Sequence, residues 1–276
     1  MLEFTFRRSA RSTVARALLI LAVVGPAAAG TLPAQSFTAR ESSNAVTVRS
    51  TAPSAHRFIV PGERAQYELR LGGRAVGSGS LEVLGEERVS GHVTMHAVLQ
   101  VSGGVLFARV NDRFDSWIDP ERLFSRKFVQ DQQELTKHRY REYAMSPERK
   151  TFSSAEDGAE APMSSQQPLD DVSFLFYARS LPLNVGDVDT IPRYFKPGHD
   201  VILRVLRRQR ITVPAGTFET VVVQPTITNV GGLFGQGGEA EVYFTDDVAR
   251  TIVQIRSKVP VVGSLSLHLK EFRTAR

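Results

Sequence analysis

Two histidines four residues apart, His92 and His96, are the first residues of this chain whose types and spacing suggest chemistry. In an extended strand they share one face with Thr94 between them, and at about 3.3 Å per residue they stand roughly 13 Å apart. A regular strand cannot offer both rings to one metal ion; only a bulge at Met95 would bring them closer. They are expected to be polar outward positions, not metal ligands. Carboxylates recur as Asp112, Asp115 and Asp119, as Asp170-Asp171, as Asp187 and Asp189, and as Asp246-Asp247. A glycosidase needs two such groups roughly 5–10 Å apart across a sugar cleft. Most of these aspartates instead fall where turns and a helix start use them as caps. Trp117, between Asp115 and Asp119, is the candidate sugar platform, with the plainer role of a packed aromatic beside it.

The familiar catalytic signatures are missing. There is no Gly-x-Ser-x-Gly elbow, no His-Glu-x-x-His helix and no phosphate loop. Gly77-Ser78-Gly79-Ser80 has the wrong spacing for an elbow and lies inside a strand pattern. The glycine-rich run 231–238 is not followed by a helix whose N-terminus would bind an anion. It reads as a hairpin connection with Leu233 and Phe234 at its tip, apolar where loop tips are usually polar. These two side chains either pack back on the domain or meet a ligand, a lipid surface or a partner. Basic residues cluster as Lys137, His138, Arg139 and Arg141, interleaved with Tyr140 and Tyr143, and as Arg204, Arg207, Arg208 and Arg210. Such a mix either forms a solvated outer face or attracts anionic lipid headgroups or acidic glycan. Tyr140 and Tyr143 fall on opposite strand faces, so at least one of them faces solvent or a ligand.

The elements that must position these groups are strands. Tyr67, Leu69 and Leu71 alternate with Gln66, Glu68 and Arg70, and Gly72-Gly73 turns the chain into a return strand over 75–83. Gly77 and Gly79 inside that strand mark a bend or bulge. Residues 92–101 form another strand, expected to turn at Gly103-Gly104 into 105–118. Asp119-Pro120-Glu121-Arg122 is a β-turn with proline at its second position. Strands over 123–130, 134–145 and 150–153 continue the meander, and 154–169 is a polar loop. One helix follows over 171–181, capped by Asp170 or Asp171, apolar around most of its circumference and stopped by Pro182. Strands are expected again over 201–205 and 210–213, then at 221–223 after the Pro214-Ala215-Gly216 turn. The tail adds 242–244, 251–255 and 264–269. With short connections and no βαβ rhythm, the fold class is all-β: an antiparallel curved sheet or barrel-like domain with one inserted helix.

The N-terminus carries Arg7, Arg8, Arg11 and Arg16, the apolar run 17–24, the Gly25-Pro26 break and the small residues Ala27-Ala28-Ala29. This is the layout of a cleaved secretory signal peptide, and its apolar run is too short for a membrane span of roughly 20 residues. Residues 1–29 are therefore expected to be a leader, 30–60 a flexible segment, and 61–273 a single β-rich domain in the periplasm. The mature form is expected to lack a transmembrane segment. The leader carries four arginines and one glutamate, so the net charge of +5 falls to +2 without it. That small surplus does not point to nucleic acid. No cysteine is present, which excludes thiol chemistry and disulfides and leaves apolar burial, at 42% apolar residues, to hold the fold.

Four blocks of sequence resemble a bacterial exported family catalogued as domain-of-unknown-function family 3108. They are Gly62-Glu63 with Tyr67; Asp171-Val172-Ser173-Phe174-Leu175-Phe176-Tyr177-Ala178-Arg179; the Pro214-Ala215-Gly216-Thr217-Phe218 turn; and the tail runs 242–247 and 261–265. The resemblance spans Pro61 to Phe272 and implies a periplasmic β-rich domain, a partial or closed barrel. It brings no reaction and no catalytic residues. Three function classes remain in order of preference. The first is a non-enzymatic binding or carrier module for a lipid-like or hydrophobic ligand of the cell envelope, needing no cofactor. The second is an assembly factor of the envelope acting through a protein partner. The third is a hydrolase of envelope glycan built on the scattered carboxylates. Trp117, Tyr140, Tyr143, Leu233 and Phe234 are the candidate contact residues.

Overall fold

The computed structural model describes residues 55–105, 108–134, 137–156, 158–228, 239–259 and 263–274. The leader, the segment 30–54 and the Leu233-Phe234 tip lie outside the described residues. Fourteen strands form one antiparallel sheet in the order β8-β7-β6-β5-β4-β3-β2-β1-β14-β13-β12-β11-β10-β9. They are β1 Arg64–Leu71, β2 Arg74–Val89, β3 His92–Val105, β4 Ala108–Ile118, β5 Ser125–Glu134, β6 Lys137–Ser146, β7 Thr151–Ser154, β8 Glu160–Pro162, β9 Val188–Ile191, β10 Val201–Val213, β11 Gly216–Ile227, β12 Glu239–Thr245, β13 Ile252–Val259 and β14 Gly263–Arg273. The single α-helix among the described residues, α1, is Asp171–Arg179, so the expected fold class holds.

Period-2 patterning decides which side chains the sheet buries. Along β1 the odd residues Ala65, Tyr67 and Leu69 are buried while the even ones face outward. The same alternation puts Met95, Ala97, Leu99 and Val101 of β3 into the core. Helix α1 packs on this inner face, with Phe174, Leu175 and Phe176 fully buried; removing each from water contributes roughly 1.5–3 kcal/mol. A 3-10 turn at Ala55–Phe58 precedes β1, and Phe58 and Ile59 also enter the core.

Glycine matters most where β2 meets β3. Gly77 sits opposite Gly103, and a Cβ on Gly77 would lie 2.1 Å from the Ser102 carbonyl oxygen. The two backbones approach this closely only because neither position carries a side chain. Contrary to the expectation from sequence, Gly103-Gly104 does not turn the chain; β3 runs through it, with Gly104 paired to Arg109 and Val105 to Ala108. The two strands expected over 201–213 are one, β10, with a register shift between Val205 and Arg207. The short edge strands β8 and β9 carried too little pattern to be read.

The hydrogen-bonded sheet does not close on itself, and side chains bridge its edges. The loop after β9 crosses to β5, β6 and β7, where the Phe195 ring lies 6.3 Å from Phe128, 5.0 Å from Tyr143 and 5.2 Å from Phe152. Leu169 N donates to Arg193 O and Phe195 N donates to Leu169 O, while Ser125 N donates to Pro168 O. A short stretch of backbone before α1 is thereby sewn between β5 and the crossing loop.

Candidate functional site

Register fixes which residues share the outer face, opposite α1. His96 pairs with Trp117, Val98 with Asp115 and Gln100 with Arg113, so these side chains lie together with Glu87 of β2. His96 Nδ1 is 2.8 Å from Glu87 Oε1 and its Nε2 is 2.7 Å from Asp115 Oδ1. Arg113 forks onto both Asp115 oxygens at 2.7 Å, and the Trp117 indole donates to Glu87 Oε2 at 2.6 Å. Burial pulls the His96 pKa down, but the bonds to Asp115 and Glu87 outweigh it and hold the ring above its ordinary value. Burial likewise pushes Asp115 up, and the bonds from His96 and Arg113 reverse it to below the usual carboxylate range. The Trp117 bond leads the same lowering at Glu87. With both ring nitrogens turned to carboxylates, His96 is an imidazolium brace and offers no free lone pair to a substrate.

Trp117 is enclosed. His96 stacks on it at 4.3 Å between ring centroids, and Lys127 Nζ stands 4.8 Å from the ring centre, so the indole is a packed member of the brace. His92 is exposed, within 3.6 Å of Glu148, and takes no part. Among the described residues no three His, Asp or Glu side chains gather as metal ligands. Beside the brace lies a groove of about 420 Å³ over β1, β2 and β3, bordered by Gln66, Ser78, Ser80, Gln100, Ser102 and Lys270. Its hydroxyl and amide lining suits a polar ligand.

The other predicted carboxylates serve the scaffold. Asp170 caps α1, accepting from Val172 N and Ser173 N at 2.8 Å, and its second oxygen accepts from Ser116 Oγ of β4 at 2.7 Å. Asp171 turns to Tyr194, where burial and the neighbouring Asp170 charge push its pKa up to about 7. Asp119 accepts from Glu121 N and Arg122 N, closing the predicted turn. Asp246 pairs with Arg208, and Asp247 accepts from the 249 and 250 amides. In the second basic cluster Arg207 reaches Glu241, Arg208 reaches Asp246 and Arg210 reaches Glu219, so three of its four cations are neutralised across strands.

The first basic cluster is split by the pleat. Tyr140, 52% exposed, and His138 face outward, and Tyr140 donates to Glu142. Tyr143 faces inward, buried, and accepts from Lys196 Nζ at 3.2 Å. Arg141 and Arg139 share the inward parity of Tyr143. Cross-strand register puts Asp112, Gln132 and Arg139 in one inner row, Phe114, Gln130 and Arg141 in the next, and Ser116, Phe128 and Tyr143 in a third. Asp112 and Gln132 are buried, and Asp112, Gln132 and Arg139 are each engaged. The inner face thus turns polar at β4 to β6, which sequence reasoning missed. The signal was legible: Gln130 and Gln132 lie two and four residues from apolar Phe128, on the same face.

The blocks of sequence named earlier come together as pins. The Arg179 guanidinium, in the last turn of α1, donates to Glu63 Oε1 at 2.6 Å, to Oε2 at 3.3 Å and to Ala249 O at 3.0 Å, with both side chains buried. Tyr67 donates to Ile252 O at 3.1 Å. Gly62 takes a φ of 76° and bonds to Val83 O.

Among solved structures, the chain is similar to a β-barrel-like protein of domain-of-unknown-function family 1849 from Brucella abortus. Identity is 10%, coverage 79% of this chain and 98% of that one, and the TM-score 0.48. It is also similar to a candidate lipoprotein from Parabacteroides distasonis ATCC 8503, at 12% identity over 78% and 96% of the two chains with a TM-score of 0.34. A candidate exported protein with a YmcC-like fold from Bacteroides fragilis NCTC 9343 follows at 11% identity, 79% and 99% coverage and a TM-score of 0.31. No curated protein matches the chain. Residues 66–270 match the family described as "Protein of unknown function (DUF3108)", and the chain therefore belongs to the DUF3108 family.

Proposed function

We propose that the protein is a non-enzymatic binding module of the bacterial cell envelope that holds a lipid-like ligand. The leader pattern at residues 1–29 supports export to the periplasm. No helix among the described residues is long and apolar enough to cross a membrane. The observation that carries the reading is the amphiphilic inner face. One row runs Leu81, Leu99 and Phe114 across β2, β3 and β4 and then changes to Gln130 and Arg141 on β5 and β6. An inner face that is apolar at one side and hydrogen-bonding at the other matches a molecule with a tail and a head. The non-enzymatic part is supported by how the carboxylates are used, in caps, turns and ion pairs.

The test is native mass spectrometry of the full chain, recovered from a bacterial periplasm without detergent. A discrete adduct of lipid mass is expected, and solvent extraction would identify its class. A clean protein mass overturns the reading. The outer groove favours a second ligand class, an envelope glycan, because its hydroxyl and amide side chains complement sugar hydroxyls. An adduct of glycan mass, lost in a Ser80→Leu variant, would support that class instead.

A further inference from the structure

We infer that the ligand's head is an anion, a carboxylate or phosphate, seated on the Arg141 guanidinium with the Gln130 amide beside it. The inference rests on the binding-module reading and adds the chemistry of the head. Arg141 and Gln130 are direct cross-strand neighbours on the inner face, and both are partly accessible. Among the described residues neither side chain makes a hydrogen bond or an ion pair.

The other arginines show how this fold treats a structural guanidinium. Arg179 forks onto Glu63, Arg113 onto Asp115 and Arg207 onto Glu241, while Arg126 reaches Glu148. Arg141 lies on the apolar side of the sheet next to the Phe114 row without such a partner. An inward cation costs free energy unless something compensates it, and the fork geometry of a guanidinium matches the two oxygens of a carboxylate or phosphate.

The surroundings supply further donors. Two residues along β6 and on the same face, Tyr143 accepts from Lys196 Nζ, which leaves the phenol proton free to donate. Lys196 is near enough to Asp171 to lower that carboxyl. Arg139 lies two residues the other way, in the row of Asp112 and Gln132. Arg139, Arg141 and Lys196 thus share this wall with Asp112, Asp170 and Asp171, and among the described residues Arg141 is a cation without a hydrogen-bonded carboxylate. Tyr143, two residues along β6 from Arg141, packs with Phe152 and Phe195 and begins the apolar part of the wall.

The experiment is titration calorimetry on the full chain with dodecanoate, dodecyl phosphate and the neutral dodecyl maltoside, each below its micelle concentration. Acetate and inorganic phosphate serve as heads without tails. Both anionic amphiphiles are expected to bind, with the neutral one about tenfold or more weaker and the tail-less anions weaker still. Arg141→Gln is expected to remove that preference, lowering anionic affinity about ten- to a hundredfold while leaving the neutral amphiphile unchanged. Arg141→Lys should keep part of it, because the charge remains and the fork is lost. Should Arg141→Gln not fold, Gln130→Leu is read the same way, with a smaller loss confined to the anionic ligands. Equal binding of neutral and anionic amphiphiles, or a preference that survives Arg141→Gln, overturns the inference and leaves the binding module standing. Inorganic phosphate binding as tightly as dodecyl phosphate overturns the amphiphile in favour of a free-anion site. Failure of every amphiphile to bind overturns the binding-module reading itself.

Discussion

At the scale of the residue, the ionisable groups of this protein divide by what holds their charge. His96, Asp115, Glu87 and Arg113 satisfy one another on the outer face, whereas Asp171 is half-buried beside Asp170, with its pKa pushed up to about 7. The unfolded chain releases that proton near the ordinary value of 3.8. Between those values the folded state binds more protons, so the stability this group contributes is full below pH 3.8 and is lost as pH rises to about 7. Asp171→Asn, which mimics the protonated form, is expected to flatten that part of the curve. Melting temperature measured from pH 4 to 8 for both proteins checks it; parallel curves would show that Asp171 ionises freely. Burial raises the Asp170 carboxyl as well, and which of the two caps the helix was not legible in Asp170-Asp171. Either could cap the helix, and only the contacts of Asp170 with Ser116 and the two helix amides decide it.

At the scale of the element, α1 was the easiest part to read and the hardest to place. Its cap and apolar residues are local and appear as expected, while its end falls at Arg179, two residues short of the expected 181. Its position comes from two distant contacts: Asp170 to Ser116 at one end and Arg179 to Glu63 at the other. Removing one partner of a buried ion pair leaves an uncompensated charge and costs about 3–5 kcal/mol. Arg179→Met is therefore expected to lower stability by about that amount in urea unfolding. Combining it with Glu63→Leu should recover a large part, since no charge then stays buried alone. A double variant as unstable as the sum of the singles would mean that the pair does not interact as the geometry indicates.

At the scale of the whole molecule, fourteen strands form one open sheet whose edges meet through side chains. Phe195 is the centre of that seam, buried against Phe128, Tyr143 and Phe152. Phe195→Ala is expected to cost about 3–5 kcal/mol, the usual effect of emptying a buried aromatic site. It should also speed hydrogen exchange at the Leu169 and Phe195 amides, which bond across the seam, more than at β1 or β14 amides. Uniform acceleration throughout the sheet would show that the seam does not open separately. The proposed head site at Arg141 adjoins this seam, so ligand binding is expected to slow the same amides.

The chain's own order of residues was enough to determine the all-β class, most strand positions, the Asp119 turn and the single capped helix. These depend on periods of two and on capping within four residues, which act locally. It also determined that Tyr140 and Tyr143 point to opposite faces. Which face is the inside, and therefore that Arg139 and Arg141 are turned inward, was decided by the tertiary structure. So were the Glu87–His96–Asp115 brace, the stacking of Trp117 on His96 and the union of Glu63 with Arg179, 116 residues apart. The physical reason is register. A one-residue slip reverses every side chain of a strand, and here register follows from bulges such as those at Val83/Gly85 and Val205/Arg207 and from the close approach of Gly77 to Gly103. Those are properties of neighbouring strands packed together, and no single stretch of sequence contains them.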